Sequence, residues 1–282
     1  MTLTTKTLTS GFAFPECPRW HDGALFFSDQ HDRRVVRLDI DTGAAETVVE
    51  VEGQASGLGW LPDGQLLVVS MVDRKVLRFD GRSLHEHGDL ADVAPFHCND
   101  MIVDASGRAY VGNFGSDFEA HEPLRNTVVA RVDPDGSVHV AADDLAFPNG
   151  MVISPDGRTL IVAESAGARL SAFTIEADGA LSGRRVYASL ETAPDGICLD
   201  AEGAVWFAAP ATSQCIRVRE GGEVAERADV GEGHTYACVL GGPDRRTLFV
   251  CAAPTHVSAE TVRLHEGRIE MVTVDVAGAG AP

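Results

Sequence analysis

The stretch SPDGRTLIVA, residues 154–163, has the pattern of a tight turn that leads into a β-strand. Pro-Asp-Gly favours the turn, because glycine adopts a positive φ without steric cost. The branched apolar residues that follow are typical of a strand. Comparable stretches recur along the chain: WHDGALFFSD (20–29), LPDGQLLVVS (61–70), DASGRAYVGN (104–113), DAEGAVWFAA (200–209) and GPDRRTLFVC (242–251).

These turns repeat with a nearly constant period. The turn position is held by Gly23, Gly64, Gly107, Gly157, Gly203 and Arg245, with spacings of 41, 43, 50, 46 and 42 residues. A period in the forties is typical of a β-propeller blade. We therefore predict an all-β fold, a six-bladed β-propeller with four antiparallel strands per blade, as a single domain over residues 1–282. A β-sandwich or a β-helix fits the period less well.

The first residues have a predicted role in this ring. LTTKTLTS, residues 3–10, is expected to pair into the last blade, which closes the ring and hides a strand edge. The same segment contains no apolar run of signal-peptide length, so a cytoplasmic location is expected. The six cysteines are scattered without a C-x-x-C pair, which favours buried thiols over a disulfide framework.

The charge balance narrows the range of partners. The chain has 42 acidic and 23 basic residues, a formal net charge of -19. Such a surface repels nucleic acid and anionic membranes, so neither is expected as a partner. It favours cations, and a small-molecule substrate is the expected partner. Oligomeric state has no signal in the sequence.

One position recurs near the start of the innermost strand of each predicted blade. Eight residues before the turn position stand Ser56, Asn99, Asn149, Asp195 and Ala237. In the first blade Glu16 precedes Gly23 by seven residues, one residue out of register. Because inner strands line the channel of a propeller, we expect Glu16, Asn99, Asn149 and Asp195 to converge at one mouth. Two carboxylates and two amide oxygens are hard donors that suit Ca²⁺, Mg²⁺ or Mn²⁺ better than a thiolate-loving metal.

Longer motifs carry a family resemblance that spans nearly the whole chain. They are PECPRW (15–20), CNDMIVDASGRAYVGN (98–113), FPNGMVISPDGRTLIVAES (147–165), APDGICLDAEGAVWFA (193–208) and YACVLGGPDRRTLFV (236–250). In this order they resemble the senescence marker protein/gluconolactonase/regucalcin family of six-bladed propellers. The resemblance implies metal-dependent hydrolysis of lactones, often sugar lactones. It implies one divalent metal, Ca²⁺ first and Mg²⁺, Mn²⁺ or Zn²⁺ otherwise, bound by Glu16, Asn149 and Asp195, with Asp195 as catalytic base.

The resemblance also places substrate-binding residues and shows departures. Asn99 matches a substrate- or metal-associated asparagine, and His97, Asn113, Tyr236 and His234 are expected to line the mouth. Many sugar lactonases have an arginine where this chain has His97. The segment GNFGSDF, residues 112–118, replaces a familiar GTM, and only Asp117 or Glu119 could stand for an acidic substrate contact. These changes leave the sugar specificity open.

Two alternatives to a lactonase or related esterase remain from the sequence. The first uses the same metal site for other carbonyl chemistry, such as isomerisation or a carbon–carbon step. The second is a calcium-binding propeller without catalysis, because fold alone does not fix function.

Overall fold

The computed structural model of the chain describes residues 2–118 and 120–280 and consists mainly of β-strands. Six sheets radiate from a common axis, each an antiparallel meander that we call a blade. The chain first forms β1 (Thr2–Thr4) and β2 (Lys6–Phe12), and then begins blade 1. The strands of blades 1 to 3, from the inside outward, are β3 (Pro15–His21), β4 (Ala24–Asp29), β5 (Arg34–Leu38), β6 (Ala45–Glu50); β7 (Ala55–Trp60), β8 (Leu66–Ser70), β9 (Lys75–Phe79), β10 (Leu84–Asp89); β11 (Cys98–Val103), β12 (Ala109–Asn113), β13 (Thr127–Val132) and β14 (Val138–Leu145).

Blades 4 to 6 continue the same pattern. Their strands are β15 (Pro148–Ile153), β16 (Thr159–Glu164), β17 (Arg169–Ile175), β18 (Leu181–Ser189); β19 (Ile197–Leu199), β20 (Val205–Ala209), β21 (Gln214–Val218), β22 (Val224–Asp229); β23 (His234–Gly241), β24 (Thr247–Ala253) and β25 (Gly267–Thr273). The α-helix α1 (Ser258–Leu264) connects β24 to β25. The predicted six-bladed β-propeller is confirmed.

The predicted turn positions have the backbone conformation that the sequence pattern requires. All six have positive φ, including the one without glycine: Gly23 75°, Gly64 84°, Gly107 82°, Gly157 70°, Gly203 78° and Arg245 58°. In blade 1 the turn is three residues shorter than in the others, since Asp22 and Gly23 alone connect His21 to Ala24. Their φ values of 47° and 75° are those of a type I′ hairpin turn.

The N-terminus closes the ring, as predicted. β2 pairs antiparallel with β25 and becomes the outermost strand of blade 6, so the first and last parts of the chain share one sheet. β1 also pairs in parallel with β22 of blade 5, which the sequence did not predict. Buried Glu270 on β25 accepts hydrogen bonds from Thr5 (2.9 Å) and Thr7 (2.7 Å), which fix the closing strand.

The apolar core lies between neighbouring blades. One cluster joins Phe12 of the closing strand to Leu25 and Phe27 of blade 1 and to Phe249 of blade 6. All six cysteines are buried and unpaired, as expected. Within the described part of the chain, no helix has the length and apolar character needed to cross a membrane.

Substitution of Phe12 tests the closure. Its ring is 4% exposed and contacts the edge of Phe27 at 4.9 Å between centroids. Phe12→Ala should lower the free energy of unfolding by about 3–5 kcal/mol, because a buried ring leaves a cavity. Chemical denaturation measures this, with Val186→Ala on the exposed face of β18 as control. Equal stability of the two variants would contradict the role of Phe12 in closure.

Candidate metal centre

Glu16, Asn149 and Asp195 enter the channel from three blades at the same end. Glu16 lies on β3, Asn149 on β15, and Asp195 directly precedes β19. Asn149 is buried, whereas Glu16 and Asp195 are half-buried. The Glu16 charge raises the pKa of Asp195, so the two carboxylates are close enough to repel each other. A hydrogen bond from Asn149 also reaches Asp195, so the three residues lie near one another, and their role as metal ligands stays a prediction.

Both carboxyl groups are held in surroundings that disfavour their charge. Burial raises the pKa of Glu16 to about 8, and the Asp100 charge contributes to this rise. A hydrogen bond from the Cys17 N–H at 2.8 Å acts in the opposite direction and lowers the pKa. Burial raises the pKa of Asp195 well above its usual range, the Glu16 charge adds to this, and a hydrogen bond from Asn149 opposes it. A cation between the two groups would reverse the balance and favour both carboxylates.

The amide of Asn149 is oriented by a short relay. Ser165 Oγ donates to the Pro194 carbonyl oxygen at 2.7 Å, so its single proton is used. It must therefore accept the bond from Asn149 Nδ2, at 3.1 Å. This leaves the amide oxygen of Asn149 as the atom to face a ligand in the channel.

The donor set fits a divalent cation that prefers oxygen. Glu16, Asp195 and Asn149 Oδ1 offer two negative charges and three hard oxygens, which suit Ca²⁺ or Mg²⁺. The residues described by the structure contain no cluster of three His, Cys, Asp or Glu side chains that could hold a metal. A centre here would therefore depend on the amide oxygen of Asn149 as its third protein ligand.

Five of the six inner strands have an irregularity in their pairing near this level of the channel, the exception being β19. The regular pairing with the second strand is interrupted between Cys98 and Met101 in blade 3 and between Pro148 and Met151 in blade 4. Asn99 and Asn149 therefore lie in β-bulges. Bulges redirect side chains and are frequent beside functional sites. Asn149 and Gly150 thus lie within a strand, although Pro-Asn-Gly is also a common turn sequence.

The register offset of Glu16 is real. In blade 1 the ladder skips between Glu16 and Arg19, and Cys17 in the bulge has a φ of 49°. Counted from this skip, Cys17 rather than Glu16 matches Asn99 and Asn149. The prediction of equivalent positions is therefore wrong for Glu16, which reaches the channel from the residue before the bulge.

Glycines after two of the site residues let neighbouring inner strands touch. A Cβ on Gly150 would lie 2.6 Å from Ile197 N and 2.7 Å from Asp195 O. A Cβ on Gly196 would lie 2.5 Å from the Ala237 Cβ. No other residue fits at these distances without backbone movement, so Asn-Gly and Asp-Gly bring blades 4, 5 and 6 into backbone contact.

A buried ion pair lies beside the carboxylates and was not predicted. Arg19 Nη2 is 2.6 Å from Asp100 Oδ1, and both side chains are nearly inaccessible, at 4% and 5% exposed. Arg19 also donates to the carbonyl oxygens of Leu58 (3.1 Å) and Met101, and so connects the inner strands of blades 1, 2 and 3. Arg19 and Asp100 are 81 residues apart in the sequence, and only the fold brings these two charges together.

The residues expected at the mouth occupy different environments. His97 is half-buried and stacks on Phe96, with ring centroids 4.0 Å apart. His234 is exposed, and its Nδ1 lies 2.8 Å from a backbone carbonyl oxygen. Asn99 is 8% exposed at its bulge. Glu119, one of two candidates for an acidic contact, lies outside the described residues.

Asn113 differs from its predicted role as a direct substrate contact. It is 1% exposed, and its Oδ1 accepts bonds from Gly115 N–H (3.0 Å) and Thr127 Oγ1 (2.6 Å). Its Nδ2 donates to the Val128 carbonyl oxygen at 2.9 Å. These bonds fix the two ends of the loop that follows β12, so the structure places Asn113 beneath that loop.

Tyr236 belongs to a wall of rings on the opposite side of the channel. It is 5% exposed, and burial followed by the charges of Asp195 and Glu16 raises its pKa. Phe14 contacts it edge to face at 4.6 Å and stacks on His31 at 4.5 Å. Tyr236 is thus a buried wall residue within electrostatic range of both carboxyl groups.

The family assignment follows from comparison with known proteins. Residues 14–254 match the family model described as SMP-30/Gluconolactonase/LRE-like region. The chain belongs to this family.

Relatives within the SMP-30/gluconolactonase family cover most of the chain. A pentonolactonase of Haloferax volcanii is 29% identical over 88% of this chain and 84% of its own length. Regucalcin of Xenopus laevis is 28% identical over 84% of this chain and 82% of its own length. Among solved structures, a regucalcin from Agrobacterium tumefaciens superposes with a TM-score of 0.83 at 22% identity, covering 100% of this chain and 98% of that one. The resemblance predicted from the motifs is confirmed.

Removal of the Asp100 charge should destabilise the inner ring. Asp100→Asn leaves the buried Arg19 guanidinium without a counter-charge, at a cost of about 3 kcal/mol in the free energy of unfolding. Arg19→Met with Asp100→Leu should recover most of that loss, because no buried charge remains. Denaturant titration measures the free energy of unfolding of the single and double variants. An Asp100→Asn variant as stable as the parent would contradict a stabilising role for the Arg19–Asp100 ion pair.

His31 should give the fold a pH dependence below neutrality. Burial, with the nearby His256, lowers the pKa of His31 from 6.5 to about 4. Between pH 6.5 and about pH 4, His31 binds a proton in the unfolded chain but not in the folded one. The contribution of His31 to the free energy of unfolding is therefore complete above about pH 6.5 and is lost as the pH falls to about 4. His31→Gln should flatten this slope in denaturation measured across the window. Identical slopes in parent and variant would rule out His31 as the source.

Proposed function

We propose that this protein is a divalent-metal-dependent hydrolase that opens a lactone, a sugar lactone or a related small cyclic ester. The observation that carries the proposal is the pair of carboxylates, Glu16 and Asp195, with the oriented amide of Asn149 at one mouth of the channel. Membership of the SMP-30/gluconolactonase family and similarity to a pentonolactonase support this reaction class. The partner is a small molecule in the channel mouth.

Glu16, Asn149 and Asp195 are the residues that would hold the cation. When bound, a divalent cation supplies Lewis acidity that polarises the carbonyl of the lactone. Ca²⁺ is the metal we propose, because the three protein donors are oxygens, which this cation prefers. Arg19 is already paired with Asp100, so the charges of Glu16 and Asp195 remain for the cation.

Asp195 is the proposed base. It takes a proton from the attacking water as the new carbon–oxygen bond forms at the acyl carbon. The ring carbon–oxygen bond then breaks, and the departing oxygen receives the proton to become the hydroxyl of the product acid. Asn99, in its bulge on the neighbouring inner strand β11, is the residue we propose to orient the substrate or the water.

Metal removal and an isosteric variant test the proposal together. EDTA treatment should abolish lactone hydrolysis, and added Ca²⁺, Mn²⁺, Mg²⁺ or Zn²⁺ should restore it to different extents. Asp195→Asn at saturating metal should lower kcat/KM by about 10²–10⁴-fold, the usual range for loss of a general base. Asp63→Asn, in the exposed turn of blade 2, is the matched acid-to-amide control.

The outcomes separate the proposal from its alternatives. Full turnover after EDTA treatment, or full turnover by Asp195→Asn, would refute the metal-dependent mechanism. Calorimetric binding of Ca²⁺ with no hydrolysis of any aldonolactone, aliphatic lactone or aryl ester would instead favour a calcium-binding propeller without catalysis.

A further inference from the structure

Three aromatic rings form a continuous apolar surface beside the metal centre. Phe114 lies 4.9 Å from Phe147 and 5.7 Å from Phe118 between ring centroids, and Phe118 lies 5.1 Å from Phe147. We call these three residues the aromatic shelf. His97 extends it, with its ring centroid 6.2 Å from that of Phe114.

Backbone hydrogen bonds connect the shelf to the proposed site. The Phe114 N–H donates to the His97 carbonyl oxygen at 2.9 Å, two residues before Asn99. The Phe147 carbonyl oxygen accepts from the N–H of Ser165, the residue whose hydroxyl orients Asn149. The shelf therefore spans blades 3 and 4 at the mouth where the inner strands carry Asn99 and Asn149.

The shelf keeps part of its surface accessible. Phe114, Phe118 and Phe147 are all half-buried, whereas large apolar rings such as Phe27 and Phe249 are fully buried in the core. Phe147 also has a φ of 59°, a left-handed conformation that bulky residues seldom adopt. Strained residues of this kind cluster at binding sites, where surrounding structure holds them in place.

The loop that carries Phe114 and Phe118 uses its polar groups to fold itself. Asn113 Oδ1 accepts from the Gly115 N–H at 3.0 Å, and Ser116 Oγ donates to a loop carbonyl oxygen at 2.9 Å. Asp117 Oδ1 accepts a backbone N–H of the same loop at 2.9 Å. These three groups are thereby engaged in bonds within the loop, whereas Phe114 and Phe118 of the same loop keep part of their surface accessible.

We propose that the aromatic shelf binds the non-reacting part of the substrate, and that the lactone this protein opens is apolar rather than polyhydroxylated. The proposal rests on the proposed lactonase function and names its substrate class. Burial of an apolar ring against the shelf is favourable in proportion to the area removed from water. A sugar ring on the same surface loses hydrogen bonds with water that the shelf cannot replace.

A pair of lactones tests the substrate class. The metal-loaded protein is assayed with dihydrocoumarin, whose lactone is fused to an aryl ring, and with gluconolactone. We expect kcat/KM for dihydrocoumarin to exceed that for gluconolactone by about tenfold or more, as one well-buried apolar group allows. A preference for gluconolactone would overturn the proposal.

Substitution on the shelf tests whether the rings cause the preference. Phe118→Ala should raise KM for dihydrocoumarin about tenfold with kcat little changed, because the lost contact is made equally before and during reaction. Leu124→Ala is the matched control, since Leu124 lies on the same loop and is 62% exposed. Circular dichroism and thermal unfolding confirm that both variants fold, and unchanged kinetics in folded Phe118→Ala would overturn the role of the shelf.

Binding without chemistry separates this proposal from the lactonase function. The lactam analogues of the two lactones resist hydrolysis, so calorimetry with each reports recognition alone. Tighter binding of the aryl lactam, weakened in Phe118→Ala, supports the shelf even if no lactone is hydrolysed, and only the proposed reaction would then fail. Binding of neither lactam, or tighter binding of the sugar lactam, overturns the shelf whatever the hydrolysis assays show.

Discussion

The candidate site depends on backbone contact between neighbouring inner strands. At Gly150 and Gly196 the next strand lies so near that an added Cβ would meet backbone or Cβ atoms at 2.5–2.7 Å. Because Asn149 and Asp195 directly precede these glycines, the contact that packs the blades also sets the positions of the two site residues. The spacing of the oxygen donors is thus a property of the ring, which all six blades and the closing strand maintain together.

That ring brings together charges that would not otherwise stay close. Burial raises the pKa values of Glu16 and Asp195, and the Asp100 charge raises both further, as does the Glu16 charge for Asp195. Arg19 offsets one of the three by its 2.6 Å bond to Asp100. Two carboxyl groups are left at the mouth, and a bound divalent cation would favour the charged form of both and balance it.

The sequence predicts the fold better than it predicts the site. Turn chemistry is local, so the six positive-φ positions and the blade period could be found by counting, even where Arg245 replaces glycine. The offset of Glu16 could not be resolved in this way, because it combines a shorter turn at Asp22-Gly23 with a bulge at Cys17. The Arg19–Asp100 pair was invisible, since its partners lie 81 residues apart and meet only across an intervening blade.

Asn113 shows why mouth residues are harder to assign than inner-strand residues. Its place at the end of β12 follows from the repeat, yet its hydrogen bonds depend on the path of a loop that has no repeat in the other blades. The same loop carries Phe114 and Phe118. The proposed metal ligands Glu16, Asn149 and Asp195 instead lie on inner strands or close to the start of one. The inner strands carry the proposed metal ligands and one loop carries two of the aromatic rings, so these two sets of residues can change independently. A family member can therefore keep its oxygen donors while the surface beside them turns from polar to aromatic.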